Sequence, residues 1–161
     1  MKRIHQTELV HKDDAVMIGL KWEGSFADAG AGEIRRVQTE FKHRLHEIRN
    51  VLHPEELLGL SYHMTDTGFV HYAAVEVDHK TLQSIPEGMI KFEVPSHTYA
   101  KCSHVKGHLV ESSYNRIYTW IEEQGYHLSK GSLTHYEVYP MEQDPYDPEP
   151  EFTILVPINL K

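Results

Sequence analysis

The 161-residue sequence holds a single cysteine, Cys102. One thiol cannot form an intramolecular disulfide, so a reducing, cytoplasmic setting is expected. No stretch approaches the ~18 consecutive apolar residues of a membrane-spanning helix. The opening MKRIHQTELVHKDD has no apolar core of a secretory signal. Basic clusters are scarce as well. Lys and Arg number 16 against 24 Asp and Glu, a formal net charge of -8, and no Lys/Arg-dense stripe offers the footprint that direct nucleic-acid binding requires. The motifs of common cofactors are missing. His43 and His46 are three apart in HRLHE, which is not the H-E-x-x-H arrangement. His104 and His108 straddle Gly107. GAG and GEIRR are too short and irregular to cradle a phosphate. Cys102 lies in CSH without the positioned base and oxyanion site that a nucleophile needs. No metal and no cofactor are expected.

What remains is a balanced globular composition, 40% hydrophobic and 25% charged, at a length that suits one domain, residues 1–161. AVMIGLKWEGSF alternates with period two and predicts a strand. FADAGAG reads as a loop. In EIRRVQTEFKHRLHEIRNVL, Ile34, Val37, Phe41, Leu45 and Ile48 recur at helical spacing and predict one amphipathic helix. HPEE breaks it. LLGLSYHM and GFVHYAAVEVD follow as strands joined by TDTG.

The same order then returns. MIKFEVPSHTYAKCSHVKG carries a strand, HLVESSYNRIYTWIEEQG a helix stopped by Gly125, and SLTHYEVYP and EFTILVPINL two strands. The linker MEQDPYDPEP reads as a hairpin connection that could also cover a pocket mouth. The chain therefore spells β-α-β-β twice, over about residues 14–80 and 88–160. It predicts an α+β domain with pseudo-twofold symmetry, helices on one side and a ligand groove at the seam.

One acid stands out in LTHYEVYP, where Leu133, His135, Glu137 and Tyr139 share a strand face. Phe152, Ile154, Val156 and Ile158 should face a helix, as should Ala73, Val75 and Val77. Aligning the two halves places Tyr62 with Glu137. The face away from the helices is then expected to carry Tyr62, Tyr72, Glu76, Glu137 and Tyr139, an aromatic concavity holding carboxylates. Trp120 sits at the edge of its helix's apolar stripe, where an indole can cover a groove. Trp22 is a weaker candidate because Ile18 and Leu20 share its face.

TYAKCSHVKG, the helix with IYTWIEEQGY, the YEVY strand and the closing EFTILVPI together resemble the GyrI-like small-molecule-binding family. That family includes gyrase-inhibitory proteins and the effector-binding domains of multidrug-responsive regulators. The resemblance implies a tandem βαββ fold and a buried glutamate beneath aromatic rings that binds cationic or polar aromatic ligands, here Glu137 with Trp120 as the helix tryptophan. The short segment before the first strand leads one to expect a stand-alone binding domain. Three functions follow from the resemblance: protection against toxic compounds by binding; hydrolytic opening of the cyclopropane ring of cyclopropanoid genotoxins, with Glu137 and Trp120 as catalytic residues; or modulation of DNA gyrase by protein contact.

Overall fold

The computed structural model describes residues 7–80 and 82–160. In chain order the elements are β1 (Glu8–Lys12), β2 (Ala15–Ser25), α1 (Phe26–Gly30), α2 (Glu33–His43), β3 (Glu56–Tyr62), β4 (Gly68–Val77), β5 (Ile90–Val94), β6 (His97–His104), α3 (Val110–Glu123), β7 (His127–Leu128), β8 (Leu133–Pro140) and β9 (Phe152–Asn159). The strands form one antiparallel sheet in the order β1-β6-β9-β8-β3-β4-β2-β5, with β7 beside β9. At its centre the order β6-β9-β8-β3-β4-β2 is palindromic in the two βαββ units. The seam between them is the β3–β8 ladder.

Three local expectations change. FADAG forms a short helix, because the Ser25 hydroxyl accepts the Asp28 backbone N–H at 3.0 Å and caps it. The long first helix stops at His43, and a 3-10 turn, Leu45–Glu47, follows. Ile48 and Val51 then reach the first half's core from extended backbone, with Asn50 in the left-handed region at φ 59° between them. The N-terminal segment supplies β1, an additional strand that pairs with β6 of the other half.

The edge pairings force the sheet to curl. β1 lies at one edge beside β6, yet only Asp13 and Asp14 connect it to β2 near the opposite edge. β5 is likewise joined to β6 by two residues but pairs with β2. Both edges must therefore approach one another. The Ser96 backbone N–H donates to the Asp14 carboxylate and ties the two connections together. Every one of these eight strands contributes to a single inner cluster, including Val10, Met17, Leu60, Val94, Tyr99, Tyr136 and Leu155. The outer face carries two further cores. Phe41 of α2 packs on Ile18, Leu20, Ala73 and Val75, and Ile117 and Ile121 of α3 pack on Ala100, Cys102, Ile154 and Val156. Both long helices thus lie on the outer side of the sheet.

Candidate functional site in the cleft between the helices

Cross-strand partners share a face of a sheet. Glu137 pairs with Ile154 on one side and Gly59 on the other, so its side chain rises on the outer face. There it stands over the seam, between the helices. Tyr139, two residues along, touches both outer cores and bridges them.

The carboxylate is held by two phenols. Tyr114 of α3 donates its hydroxyl to Oε2, and Tyr139 donates to Oε1 at 2.8 Å. Burial raises the Glu137 pKa above its ordinary value, while the two phenol hydrogen bonds pull the other way. The same burial, reinforced by the carboxylate, pushes both tyrosines well above 10. No Lys or Arg pairs with Glu137 among the described residues.

Above the carboxylate lies a cavity of about 200 Å³. Ile34, Arg35 and Gln38 of α2 wall it on one side and Val110 of α3 on another. Gln143, Asp144 and Pro150 of the β8–β9 connection complete it. That connection is fastened in place: Lys42 Nζ donates to the Gln143 carbonyl at 2.8 Å, and the Glu151 N–H donates to Gln143 Oε1 at 2.9 Å. The acidic, proline-rich linker is therefore a wall of the cavity as well as a hairpin connection.

Two histidines flank the acid on the same face. His135 is hydrogen-bonded to the Tyr118 hydroxyl and lies 4.6 Å, ring to ring, from Tyr114. His71 shares a 3.0 Å hydrogen bond with the Ser61 hydroxyl, and its Nε2 has no partner among the described residues. Burial lowers both to about 4, so both are neutral near pH 7; for His71 the nearby His135 adds to the effect. Gly59 makes the close packing possible. A Cβ there would meet His71 Cε1 at 3.1 Å and Tyr139 Cε1 at 3.3 Å.

The expected residue set divides between the two faces. Glu137 and Tyr139 are together in the outer cleft. Tyr62, Tyr72 and Glu76 lie on the inner face, where Tyr62 and Tyr72 meet edge to face at 5.5 Å. The common cavity does not form. The repeat alignment set Tyr62 with Glu137, whereas the ladder pairs Gly59 with Glu137 and a register shift after Ser61 sets Tyr62 against Leu133. Tyr136, not Glu137, points inward, its ring 5.6 Å from that of Tyr99. Trp120 is also outside the cleft. At ~100° per residue it sits about 160° round the helix from Tyr118, and it packs near Tyr126. Trp22 faces α2, where its indole N–H donates to Glu33 at 3.0 Å.

Tyr114, Tyr118 and Gln38 are neighbours of the acid that the sequence alone does not reveal, whereas strand alternation already sets His135 on its face. The signal was present in part. Tyr114 and Tyr118 are one helical turn apart on the edge of the stripe opposite Trp120, and a tyrosine pair beside an apolar stripe needs partners for its hydroxyls.

The comparisons fit this architecture. A family model described as the GyrI-like small molecule binding domain matches residues 5–159. The chain is 28% identical over 154 residues to the transcriptional regulator BrlR of Pseudomonas aeruginosa, covering 93% of this chain and 54% of that protein. It thus spans about half the length of that relative. Among solved structures it is similar to SAV2435 bound to tetraphenylphosphonium, with a TM-score of 0.69, 16% identity and coverage of 96% and 94% of the two chains. It is also similar to a hydrolase from Listeria innocua, with a TM-score of 0.60, 9% identity and coverage of 96% and 92%. At these identities the structural likeness establishes the fold.

Proposed function

Because the chain belongs to the GyrI-like small-molecule-binding family, we propose that it captures a hydrophobic, cationic or aromatic toxin-like molecule in the cleft between α2 and α3, with Glu137 as counter-ion. One observation carries the reading: a carboxylate deep in the seam has two phenol donors and no cationic partner among the described residues. Burying an unpaired negative charge is costly. A ligand cation relieves that cost, and the aromatic rings that line the cavity, Tyr139 and Phe152, are placed to contact it. SAV2435 binds the lipophilic cation tetraphenylphosphonium, which is therefore a suitable probe. The cavity, about 200 Å³, is smaller than the roughly 300–1,000 Å³ of drug-sized pockets. A bulky ligand needs the β8–β9 connection or a helix to yield.

The test is calorimetric titration of wild type and Glu137→Gln with tetraphenylphosphonium and with the neutral triphenylmethanol. Glutamine keeps the shape and removes the charge. The cation should bind about 10- to 150-fold more weakly, the equivalent of about 1.5–3 kcal/mol, while the neutral compound changes little. Equal cation affinity in the two proteins removes Glu137 from the site.

A second reading is favoured by the raised pKa of Glu137, which suits a group that gives and takes a proton. The reaction would be opening of a strained electrophilic ring by water, as in a cyclopropanoid genotoxin, with Glu137 as acid/base and Tyr114 and Tyr139 holding it. Product exceeding one equivalent of protein distinguishes turnover from capture. Glu137→Gln should then bind substrate but turn it over about 10²–10⁴ times more slowly.

A further inference from the structure

The inner face of the sheet holds a separate hollow that the outer cleft does not reach. It lies at the turn between β1 and β2, has a volume of about 250 Å³, and is walled by Tyr99, Tyr136, Glu76, Asp13, Asp14 and Lys12. Three features of it point to a ligand. Tyr99 is fully buried, yet its hydroxyl has no hydrogen-bond partner among the described residues. The Tyr136 ring already receives a cation, since Lys12 Nζ stands 5.4 Å from its centroid. Three carboxylates, on Asp13, Asp14 and Glu76, line the same hollow, and Lys12 carries the single ammonium among its described lining residues. Asp14 accepts the Ser96 N–H and Glu76 faces His53 Nε2 at 3.7 Å, and among the described residues no Lys or Arg forms an ion pair with either.

We propose that this inner hollow is a second ligand site, taking a small organic ammonium ion at the place that Lys12 now occupies. The aromatic face supplies the cation–π contact. The carboxylates supply the charge, and the Tyr99 hydroxyl supplies a hydrogen bond to a polar substituent such as an alcohol. The size sets the class: at about 250 Å³ the hollow falls below drug-sized pockets, so the ligand is of choline size rather than a bulky aromatic dye. Lys12 acts as a tethered competitor, because it lies on the edge strand β1 and can swing to solvent without breaking the β1–β6 ladder. Inner site and outer cleft are separated by the sheet itself, so the two are occupied independently.

The test follows the Tyr99 and Tyr136 ring signals by NMR during titration with choline chloride, sodium chloride keeping the ionic strength constant. The neutral isostere 3,3-dimethylbutan-1-ol serves as the control. Saturable shifts with choline and none with the isostere are expected in wild type and, unchanged, in Glu137→Gln. Lys12→Met should tighten choline binding threefold or more by removing the competitor. Glu76→Gln should weaken it by a similar factor. Shifts that never saturate, that the neutral isostere reproduces, or that vanish in Glu137→Gln overturn the proposal. So does Lys12→Met binding no tighter than wild type.

Discussion

Glu137 is placed against the grain of the sheet around it. Its ladder partners are Gly59 and Ile154, and a hydrophobic residue at 137 would fill the seam without desolvating a charge. The glycine opposite is part of the same arrangement, since it leaves room for the Tyr139 ring and for His71. Gly59→Ala tests this. The new methyl would crowd an imidazole carbon at 3.1 Å and the Tyr139 ring at 3.3 Å, contacts tighter than a packed core tolerates without shifting. Overpacking of this kind costs about 1–3 kcal/mol. The unfolding midpoint in urea should fall accordingly. Cation affinity should fall with it, because Tyr139 can move only by disturbing its 2.8 Å hydrogen bond to Glu137. A variant as stable as wild type would show that the seam is looser than these distances imply.

At the scale of elements, α3 decides what surrounds the acid. Its buried stripe, Ile117 and Ile121, is flanked by Tyr114 and Tyr118 on the cleft side and by Trp120 on the other. Tyr114→Phe removes a donor that favours the ionised carboxylate, so the Glu137 pKa should rise further. The pH at which cation binding is half lost on acidification should move upward, which titrations at several pH values would reveal. Trp120→Ala should instead lower stability by about 1–3 kcal/mol, less than a fully buried aromatic because the indole is only partly buried, and leave cation affinity within about twofold. The reverse pattern would return the tryptophan to the site. The order of these elements was legible in the sequence, because hydrophobic period distinguishes strand from helix. The outer-facing Ala73, Val75, Ile154 and Val156 were legible for the same reason. The strand β8 was not. Alternation says that His135, Glu137 and Tyr139 share a face, but both of its faces carry aromatics, and only the ladder with Gly59 and Ile154 says which face is which. The closing of the sheet by β1 was hidden too, since five residues, none fully buried, pair with a strand about ninety residues away.

For the whole molecule, the curled sheet creates two interiors, an outer one beneath the helices and an inner one between its edges, and ionisable groups in the outer one link folding to pH. Glu137 titrates above its ordinary 4.5. A raised acid contributes stability that is complete below about pH 4.5 and is lost as pH rises through the raised value. His71 and His135 act in the opposite sense. Their pKa values fall from 6.5 to about 4, so the unfolded chain binds protons there that the fold refuses. Their contribution is complete above about pH 6.5 and is lost as pH falls toward 4. Each histidine supplies a slope of up to about 1.4 kcal/mol per pH unit, one proton's worth. Glu137 offsets up to one such slope where the windows overlap. Other carboxylates add their own slopes at low pH, so the measurement is a difference. Urea midpoints of wild type and His71→Gln, compared from pH 7.5 down to 4.5, isolate one histidine. Glutamine can keep the Ser61 hydrogen bond and carries no titratable proton. The stability of wild type relative to the variant should be flat above pH 7 and decline below 6.5, approaching that slope by pH 5. The companion variant Glu137→Gln should diverge from wild type in the other direction, gaining relative stability as pH rises above 4.5. A constant difference between wild type and His71→Gln over the whole range would mean that His71 exchanges its proton in the fold as freely as in the unfolded chain, and the buried neutral imidazole would have to be given up.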